Sequence, residues 1–165
     1  MTAYVLDTNL AVVANNRSSQ ADDACVLACI SELHNIIASG MIVLDTGGAI
    51  LKEYMNNLSL SGQPGAGDYF MKWVFNVHQD AHRCEQVVLT PRPMHPDDYE
   101  EFPQDTALAN FDASDRKFVA VALKSQHEPI ILNAVDSDWA HHHAALAKHG
   151  VIVKFLCPQH CTPPP

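Results

Sequence analysis

Tyr4-Val5-Leu6-Asp7-Thr8-Asn9, close to the N-terminus, is a strand-forming run that leads directly into an acid, a hydroxyl and an amide. A short apolar run that ends in Asp places a carboxylate at the carboxyl end of a β-strand, which is the edge where open α/β sheets bind ligands. Asp7 and Thr8 are also common helix-capping residues. This stretch alone therefore leaves a cap and a ligand site as alternatives for Asp7.

Further apolar runs of strand length alternate with helical patterns along the chain. Met41-Ile42-Val43-Leu44 ends in Asp45, and residues 129–132 lead through Asn133 to Asp136. Another such run, residues 151–155, lies near the C-terminus. Buried strands that alternate with helices predict an α/β fold, a three-layer α/β/α sandwich with a central, mostly parallel sheet.

The helical periodicity and the breaks between the patterns set the expected elements. Ser19 is expected to cap the helix that ends at Gly40. Ser114 is expected to cap a later helix, which begins directly after Ser114 itself. Residues 91–105 are Pro-rich and acidic and are expected to be irregular, either as a lid over the site or as a surface loop. Helices are also predicted at residues 10–16, 49–58, 68–84 and 137–149, and a short strand at 87–89.

The chain has 165 residues, of which 47% are hydrophobic and 18% charged, as is ordinary for one globular domain. We predict a single domain at residues 1–156 and a Pro-rich C-terminal tail at 157–165. No apolar run has the length of a membrane span, so no membrane partner is expected. Residues 1–3 enter a strand at once and leave no room for a secretory segment, which makes the cytoplasm the expected location.

Five cysteines are an odd number and argue against a closed disulfide framework. Cys25 and Cys29 have helical i, i+4 spacing in an apolar stretch, which predicts two core residues. Cys157, His160 and Cys161 could begin a zinc site, but no second cluster has zinc-ligand spacing. A structural zinc is therefore disfavoured.

Charge gives mixed guidance about partners. The formal net charge of −9 is unfavourable for binding a polyanion, because nucleic-acid affinity comes largely from Lys and Arg. If several acids are clustered to hold divalent cations, the local charge becomes neutral or positive once the metal binds, and a polyanion can then approach. A basic partner protein is the other explanation of the acidic excess. The run 141–143, three histidines on a predicted helix, is expected to be a solvated face.

Four acids are expected to meet at one edge of the sheet. Asp7 and Asp136 follow strands, Asp115 opens a helix, and Glu53 lies on the helix after another strand. Parallel strands all end at the same edge. Carboxylates within about 4–6 Å of each other raise one another's pKa, so such a cluster implies a bound cation. Oxygen ligands suit Mg²⁺ or Mn²⁺.

These acids lie in stretches that resemble the motifs of the PIN-domain nucleases. Residues 5–9 resemble the first motif of that family and residues 50–53 the second. Residues 115–122 resemble its helix with an N-terminal Asp, and residues 131–139 its last acidic motif. The resemblance covers most of the chain in the right order, with residues 59–110 the least typical. Ala134 departs from the family, which often has Thr or Ser there, and this departure is expected to lower activity.

The resemblance implies hydrolysis of phosphodiester bonds by bound Mg²⁺ or Mn²⁺, usually in RNA rather than DNA, as in toxin-type PIN-like endoribonucleases. It also implies a possible basic antitoxin or other partner protein, and a homodimer is a further possibility. The residues expected at the site are the metal ligands Asp7, Glu53, Asp115 and Asp136, with Asp138 as a further ligand, Thr8 and Asn9 to orient Asp7 and its water, and Arg116 and Lys117 to contact substrate phosphates.

Two other functional classes remain as alternatives. A phosphatase of the haloacid dehalogenase type also has an Asp after its first strand, but it needs a general acid two residues later, where this chain has Asn9. An amide cannot transfer that proton, which disfavours the phosphatase and, still more, a phosphorylated receiver domain. A catalytically weak PIN-like module that binds RNA or protein is the stronger rival, favoured by Ala134 and the acidity.

Overall fold

Five strands form one parallel sheet in the computed structural model, which describes residues 1–161. They are β1 (Ala3–Leu6), β2 (Met41–Asp45), β3 (Cys84–Val87), β6 (Ile130–Asn133) and β7 (Ile152–Phe155). Their spatial order is β3-β2-β1-β6-β7, and every neighbouring pair is parallel. The first strand is thus the centre of the sheet. The parallel sheet predicted from the alternating runs is confirmed.

Seven helices surround the sheet. They are α1 (Thr8–Ala14), α2 (Asp23–Ser39), α3 (Ala49–Asn57), α4 (Ala66–Val77), α5 (Arg116–Lys124), α6 (Ser137–His141) and α7 (His143–Lys148). Right-handed crossovers place α1 to α4 on one face, where α1, α2 and α4 pack together, and α5 to α7 on the other. The result is the predicted three-layer α/β/α sandwich. Within residues 1–161, no helix has both the length and the apolar character needed to cross a bilayer.

The end of the α4 pattern differs from the sequence prediction. A helix was expected at residues 68–84 and a strand at 87–89, but the helix ends at Val77 and the strand is Cys84–Val87. The Asp80 carbonyl accepts hydrogen bonds from the backbone N–H groups of Arg83 and Cys84, which closes a turn between the two elements. The turn brings Cys84 into register with Ile42, so the last residue of the predicted helix belongs to the sheet.

The segment expected to be irregular, residues 91–105, contains a small hairpin. Its strands are β4 (Pro91–Arg92) and β5 (His95–Tyr99), which pair antiparallel, and β5 packs against α5. A single 3₁₀ turn, Thr106–Leu108, follows. The prediction missed the hairpin because its partner is α5, which lies later in the chain and provides the surface on which the short strands fold.

A disulfide joins the last part of the described chain to α2. Cys25 and Cys157 are bonded, and both are buried together with Cys29. The expected burial of Cys25 and Cys29 is confirmed. The bridge itself was not predicted, because the fold joins cysteines that are 132 residues apart. Within residues 1–161 three cysteines stay free, so the cysteines do not form a closed disulfide framework. Cys161 is also buried, so the domain continues past the predicted boundary at 156, to residue 161 at least. The remainder of the predicted tail lies outside the described residues.

Reduction of this disulfide should lower the melting temperature. A bridge that closes so long a loop restricts the unfolded chain strongly, and such bridges typically contribute about 2–4 kcal/mol. We expect dithiothreitol to lower the melting temperature of the wild type but to have no effect on the double variant Cys25→Ala/Cys157→Ala, with calorimetry as the measurement. An equal response of both proteins would mean that the bridge does not stabilise the fold.

Candidate metal centre

Three acids meet where β1 and β6 end. These strands are neighbours in the sheet, with Leu6 opposite Leu132, and the backbone N–H of Asp7 donates to the Leu132 carbonyl at 3.0 Å. Asp136 follows β6 by three residues, and Asp115 immediately precedes α5. One carboxylate oxygen from each of Asp7, Asp115 and Asp136 lies within 4.8 Å of the other two. Three of the four expected acids therefore converge, and we call them the acidic cluster.

The position of Asp115 depends on a short 3₁₀ turn, Ala113–Asp115. Asp112 caps this turn, because its Oδ1 accepts hydrogen bonds from the Ser114 backbone N–H and from Ser114 Oγ, both at 2.9 Å. Ser114 is thus not the helix cap that the sequence predicted. The Asp115 side chain makes no capping hydrogen bond at the start of α5. Its carboxylate is consequently available to the cluster.

Two members of the acidic cluster are buried and Asp136 is partly buried, and all three have raised pKa values. Asp7 is 5% exposed and Asp115 is 7% exposed. Burial, with the negative charges of Asp136 and Glu53, raises the pKa of Asp7 to about 7. Burial, followed by the charges of Asp7 and Asp136, raises the pKa of Asp115 to about 9, and burial also raises the pKa of Asp136. Three acids are therefore held where their charges are poorly compensated.

Two hydrogen bonds hold the Asp7 carboxylate in place. Oδ1 accepts from the backbone N–H of Asn9 at 3.2 Å, which makes Asp7 the N-cap of α1. Oδ2 accepts from Nε1 of the fully buried Trp139 at 2.6 Å. Each carboxylate oxygen has a second lone pair, so both can still bind a cation. The two sequence-based alternatives for Asp7 are thus compatible, since one residue serves as a cap and belongs to the cluster.

Trp139 was not among the expected site residues. The sequence signal for it was weak, because a Trp at this helical position is usually a core residue. A buried indole N–H normally finds an acceptor, however, and here that acceptor is Asp7. Its ring packs edge-on against Phe111, with centroids 5.0 Å apart. Trp139 therefore connects the carboxylate to the hydrophobic core.

Asn9 and Asn133 form an amide pair that fixes the loop carrying Asp136. Asn9 Oδ1 accepts from the backbone N–H groups of Ala134 at 2.9 Å and Val135 at 3.3 Å, and its Nδ2 donates to Asn133 Oδ1 at 2.8 Å. Asn133 Nδ2 donates to the Asp136 carbonyl at 2.9 Å. Asn9 thus positions both Asp7, through its backbone, and the Asp136 loop. Asn133 was not predicted, although its place at the end of a strand was a usable signal.

Glu53 lies at the rim of the acidic cluster and not within it. One of its carboxylate oxygens accepts from Thr8 Oγ1, and the other is 3.3 Å from Lys117 Nζ. Thr8 therefore contacts Glu53, whereas the sequence suggested that it would orient Asp7. Lys117 also donates to the Ser114 carbonyl, and its side chain is only 11% exposed. Its ammonium group is shared between these two internal acceptors.

Asp138 lies beside the acidic cluster and is held by other partners. Its backbone N–H donates to Asp136 Oδ1 at 2.9 Å, while its own Oδ2 accepts from the backbone N–H of Asp112 at 3.0 Å. Its Oδ1 is 3.1 Å from Nδ1 of His142. His142 is buried, so the expectation of a solvated histidine face is wrong for this residue, although His141 and His143 are exposed. The helix predicted at 137–149 is divided into α6 and α7 at His142.

Arg116 stabilises the β4–β5 hairpin. Its guanidinium is 3.1 Å from Asp98 Oδ1, donates to the Ala109 carbonyl at 3.1 Å and lies over the Phe102 ring at 4.7 Å. The side chain is 16% exposed. Both cations that the sequence assigned to substrate phosphates are thus engaged in internal contacts, and neither is free.

The acidic cluster fits a hard divalent cation. Asp7, Asp115 and Asp136 offer oxygen atoms, the ligands that Mg²⁺ and Mn²⁺ take, within 4.8 Å of each other. The nearby ammonium of Lys117 is bonded to Glu53 and to a carbonyl. A scan against protein-family models found no match, and neither did searches of curated proteins and of solved structures. The chemistry of this cluster and its surroundings therefore carries the functional inference.

Proposed function

We propose that the protein is a metal-dependent nuclease that hydrolyses phosphodiester bonds, with RNA favoured over DNA as the substrate. The observation that carries this proposal is the convergence of Asp7, Asp115 and Asp136 at the carboxyl edge of a parallel sheet, with oxygen atoms within 4.8 Å of one another. This edge is where open α/β sheets bind ligands. The cation would be Mg²⁺ or Mn²⁺.

The electrostatics of the acidic cluster favour a cation as the natural occupant. Burial and mutual repulsion raise the pKa of all three carboxyl groups, so ionisation of the cluster is costly. A cation lowers this cost, and ordered partners hold the two strand-end acids in position in advance. Trp139 and Asn9 hold Asp7, and the Asn9–Asn133 pair holds Asp136. Such support of metal ligands typically contributes about 10–100-fold to metal affinity or activity.

When bound, a divalent cation lowers the pKa of its water and offsets the charge of the scissile phosphate. The side chains of the protein would then have three tasks. The acidic cluster would hold the cation, and the rim carboxylate of Glu53, which is held by Thr8 and Lys117, would orient a water. Lys117, paired with Glu53, supplies positive charge at the edge of the cluster. This division requires no side-chain nucleophile.

The resemblance to PIN-domain nucleases agrees with this proposal, because three of the four acids of its motifs converge, while Glu53 lies at the rim. On the same basis we propose a cytoplasmic protein, a toxin-type role with a basic antitoxin or other partner protein, and homodimer formation. The net charge of −9 is compatible with a basic partner. Ala134 has no hydroxyl and is fully buried, which supports a lower rate than in relatives with Thr or Ser.

A catalytically weak module that binds RNA or protein is the second candidate. Its support is Ala134 together with the internal contacts of Arg116 and Lys117, which leave these cations poorly placed for substrate. The phosphatase is less well supported. Asn9, which stands where its general acid would be, uses both side-chain polar atoms to hold the 133–135 loop.

A cleavage assay separates these functions. The purified protein is incubated with RNA and with single-stranded DNA in the presence of Mn²⁺, Mg²⁺ or EDTA. We expect cleavage of RNA that requires the metal. Binding of RNA without cleavage would favour the weak module, and hydrolysis of a phosphomonoester alone would favour the phosphatase.

A further inference from the structure

A cavity of about 520 Å³ lies between α6–α7 and the segment that contains Ala107 and Asn110. We call it the α7 groove. Asp138, His141, Ala144 and Lys148 are among the residues that line it. Its volume is in the range of about 300–1,000 Å³ that is usual for small-ligand sites.

The α7 groove adjoins the acidic cluster through Asp138. This residue lines the groove, and its backbone N–H donates to Asp136 Oδ1 at 2.9 Å. The negative charge of Asp138 is partly offset there, because its carboxylate accepts from the Asp112 N–H and lies 3.1 Å from His142 Nδ1. The groove is therefore linked to the acidic cluster by a hydrogen bond from one of its lining residues.

The walls of the α7 groove are held together by contacts beneath and beside it. His149 Nε2 lies 2.9 Å from Asp105 Oδ2, which joins the end of α7 to the start of the opposite segment. Leu108 and Leu146, one from each wall, are fully buried. The ring of His142 packs edge-on against Phe111, with centroids 5.4 Å apart. The groove is consequently formed before any ligand binds.

Lys148 is an exposed cation in the wall of the α7 groove. Among the ten Lys and Arg residues, five are engaged in ion pairs or bonds to carbonyls, namely Arg83, Arg92, Arg116, Lys117 and Lys154. Lys148 is exposed and makes no ion pair of 4.0 Å or less within residues 1–161. Lys72 also lines a cavity, but that cavity is bordered by Tyr69 and Trp73 and has no residue like Asp138, which hydrogen-bonds to a member of the acidic cluster.

We propose that the α7 groove binds one nucleotide of a single-stranded nucleic acid and so presents the adjacent phosphate to the acidic cluster. Lys148 would contact a phosphate, Asn110 would hydrogen-bond the base or sugar, and Ala107 and Ala144 provide a small apolar surface for the ring. A paired base is stacked inside a duplex and cannot enter such a cavity, so the groove selects unpaired strands. This inference rests on the proposed nuclease function, since it assigns the substrate site of the same centre.

Binding of a short single-stranded RNA, measured by fluorescence anisotropy over a series of salt concentrations, tests this assignment. Ca²⁺ replaces Mn²⁺ so that the strand stays intact, which a gel confirms. We expect Lys148→Gln to weaken binding several-fold and to reduce the slope of log affinity against log salt by about 0.7–1, the effect of one lost phosphate contact. Lys72→Gln, the matched control, should leave both quantities unchanged, and a duplex of the same sequence should bind more weakly.

The groove assignment is overturned if the wild type binds no RNA, if Lys148→Gln binds like the wild type, or if the two variants are weakened equally. These outcomes can be distinguished from failure of the proposed nuclease function. If the wild type cleaves RNA and Lys148→Gln binds RNA normally, the nuclease proposal stands and the groove assignment fails. If RNA binding depends on Lys148 but no metal-dependent cleavage occurs, the groove is an RNA-binding site and the nuclease proposal fails.

Discussion

Replacement of Asp7 by Asn should abolish Mn²⁺-dependent cleavage and leave the fold intact. Asn has the same shape and can still accept the Trp139 hydrogen bond through its oxygen, so the hydrophobic contacts around it persist. Its other atom is then an NH₂ group, which repels a cation. The bond from the Asn9 N–H is lost, and such a cap is typically worth about 1 kcal/mol, which is too little to unfold the domain. The change also removes one of the three charges of the acidic cluster. Because loss of a mere supporting contact already costs about 10–100-fold, we expect loss of a ligand to exceed 100-fold in rate.

Asp45→Asn is the matched control for Asp7→Asn. Asp45 also ends a strand and is buried to the same degree, 5% exposed, but its carboxylate caps α3 through the N–H groups of Ala49 and Ile50. This variant should lose about 1 kcal/mol of stability and keep its cleavage rate. Rates are compared at equal concentrations of folded protein, with circular dichroism as the check. Unchanged cleavage by Asp7→Asn, or equal losses in both variants, would refute the assigned role of Asp7.

The metal-free protein should become less stable as the pH rises from about 4 to about 9. Asp7 has a folded-state pKa of about 7 and Asp115 one of about 9, both raised from 3.8. The folded protein therefore holds protons that the unfolded chain releases. A raised pKa contributes stability that is fully present below the unfolded pKa and is lost as the pH rises through the folded pKa. Because each pKa unit corresponds to about 1.4 kcal/mol, the loss is large enough to lower the melting temperature measurably.

Asp115→Asn tests this dependence directly. An amide has no charge to bury, so the variant should melt at a higher temperature than the wild type near pH 8 in EDTA and at a similar temperature near pH 4. Asp112→Asn is the control, because Asp112 is exposed and caps the 3₁₀ turn outside the cluster. Near pH 8 it should gain less stability than Asp115→Asn, because the Asp112 charge is the smallest of the three charges that raise the pKa of Asp115. Wild-type stability that is constant over this pH range would mean that the acids do not repel one another.

Much of this centre follows from local sequence patterns. The apolar runs before Asp7 and Asp136 are long enough for buried strands, and the parallel pairing of β1 and β6 brings their ends together. A strand that is buried on both faces has a continuous apolar sequence, and such a run can be recognised from the sequence alone. Asp115 was predictable because it lies at the start of a helix that begins near the same edge of the sheet.

The remaining features depend on contacts between distant parts of the chain, which local patterns do not encode. The Trp139 indole reaches Asp7 across 132 residues, and the Cys25–Cys157 bridge spans the same separation. Arg116 looked like a phosphate contact because its neighbour Asp115 belongs to the proposed metal site, yet Arg116 is bound to Asp98 of the hairpin. The contacts of a long charged side chain depend on which segment of the chain packs against it.

Calorimetric titration with Mn²⁺ near pH 8 tests the central claim most directly. We predict saturable binding at or below millimolar Mn²⁺, with proton release seen as a heat that changes with the ionisation enthalpy of the buffer, because the metal displaces protons from the raised carboxyl groups. Asp7→Asn and Asp115→Asn should lose this binding, and Asp45→Asn should retain it. Absence of binding at millimolar Mn²⁺, or equal binding by Asp7→Asn and the wild type, would contradict a metal centre formed by Asp7, Asp115 and Asp136.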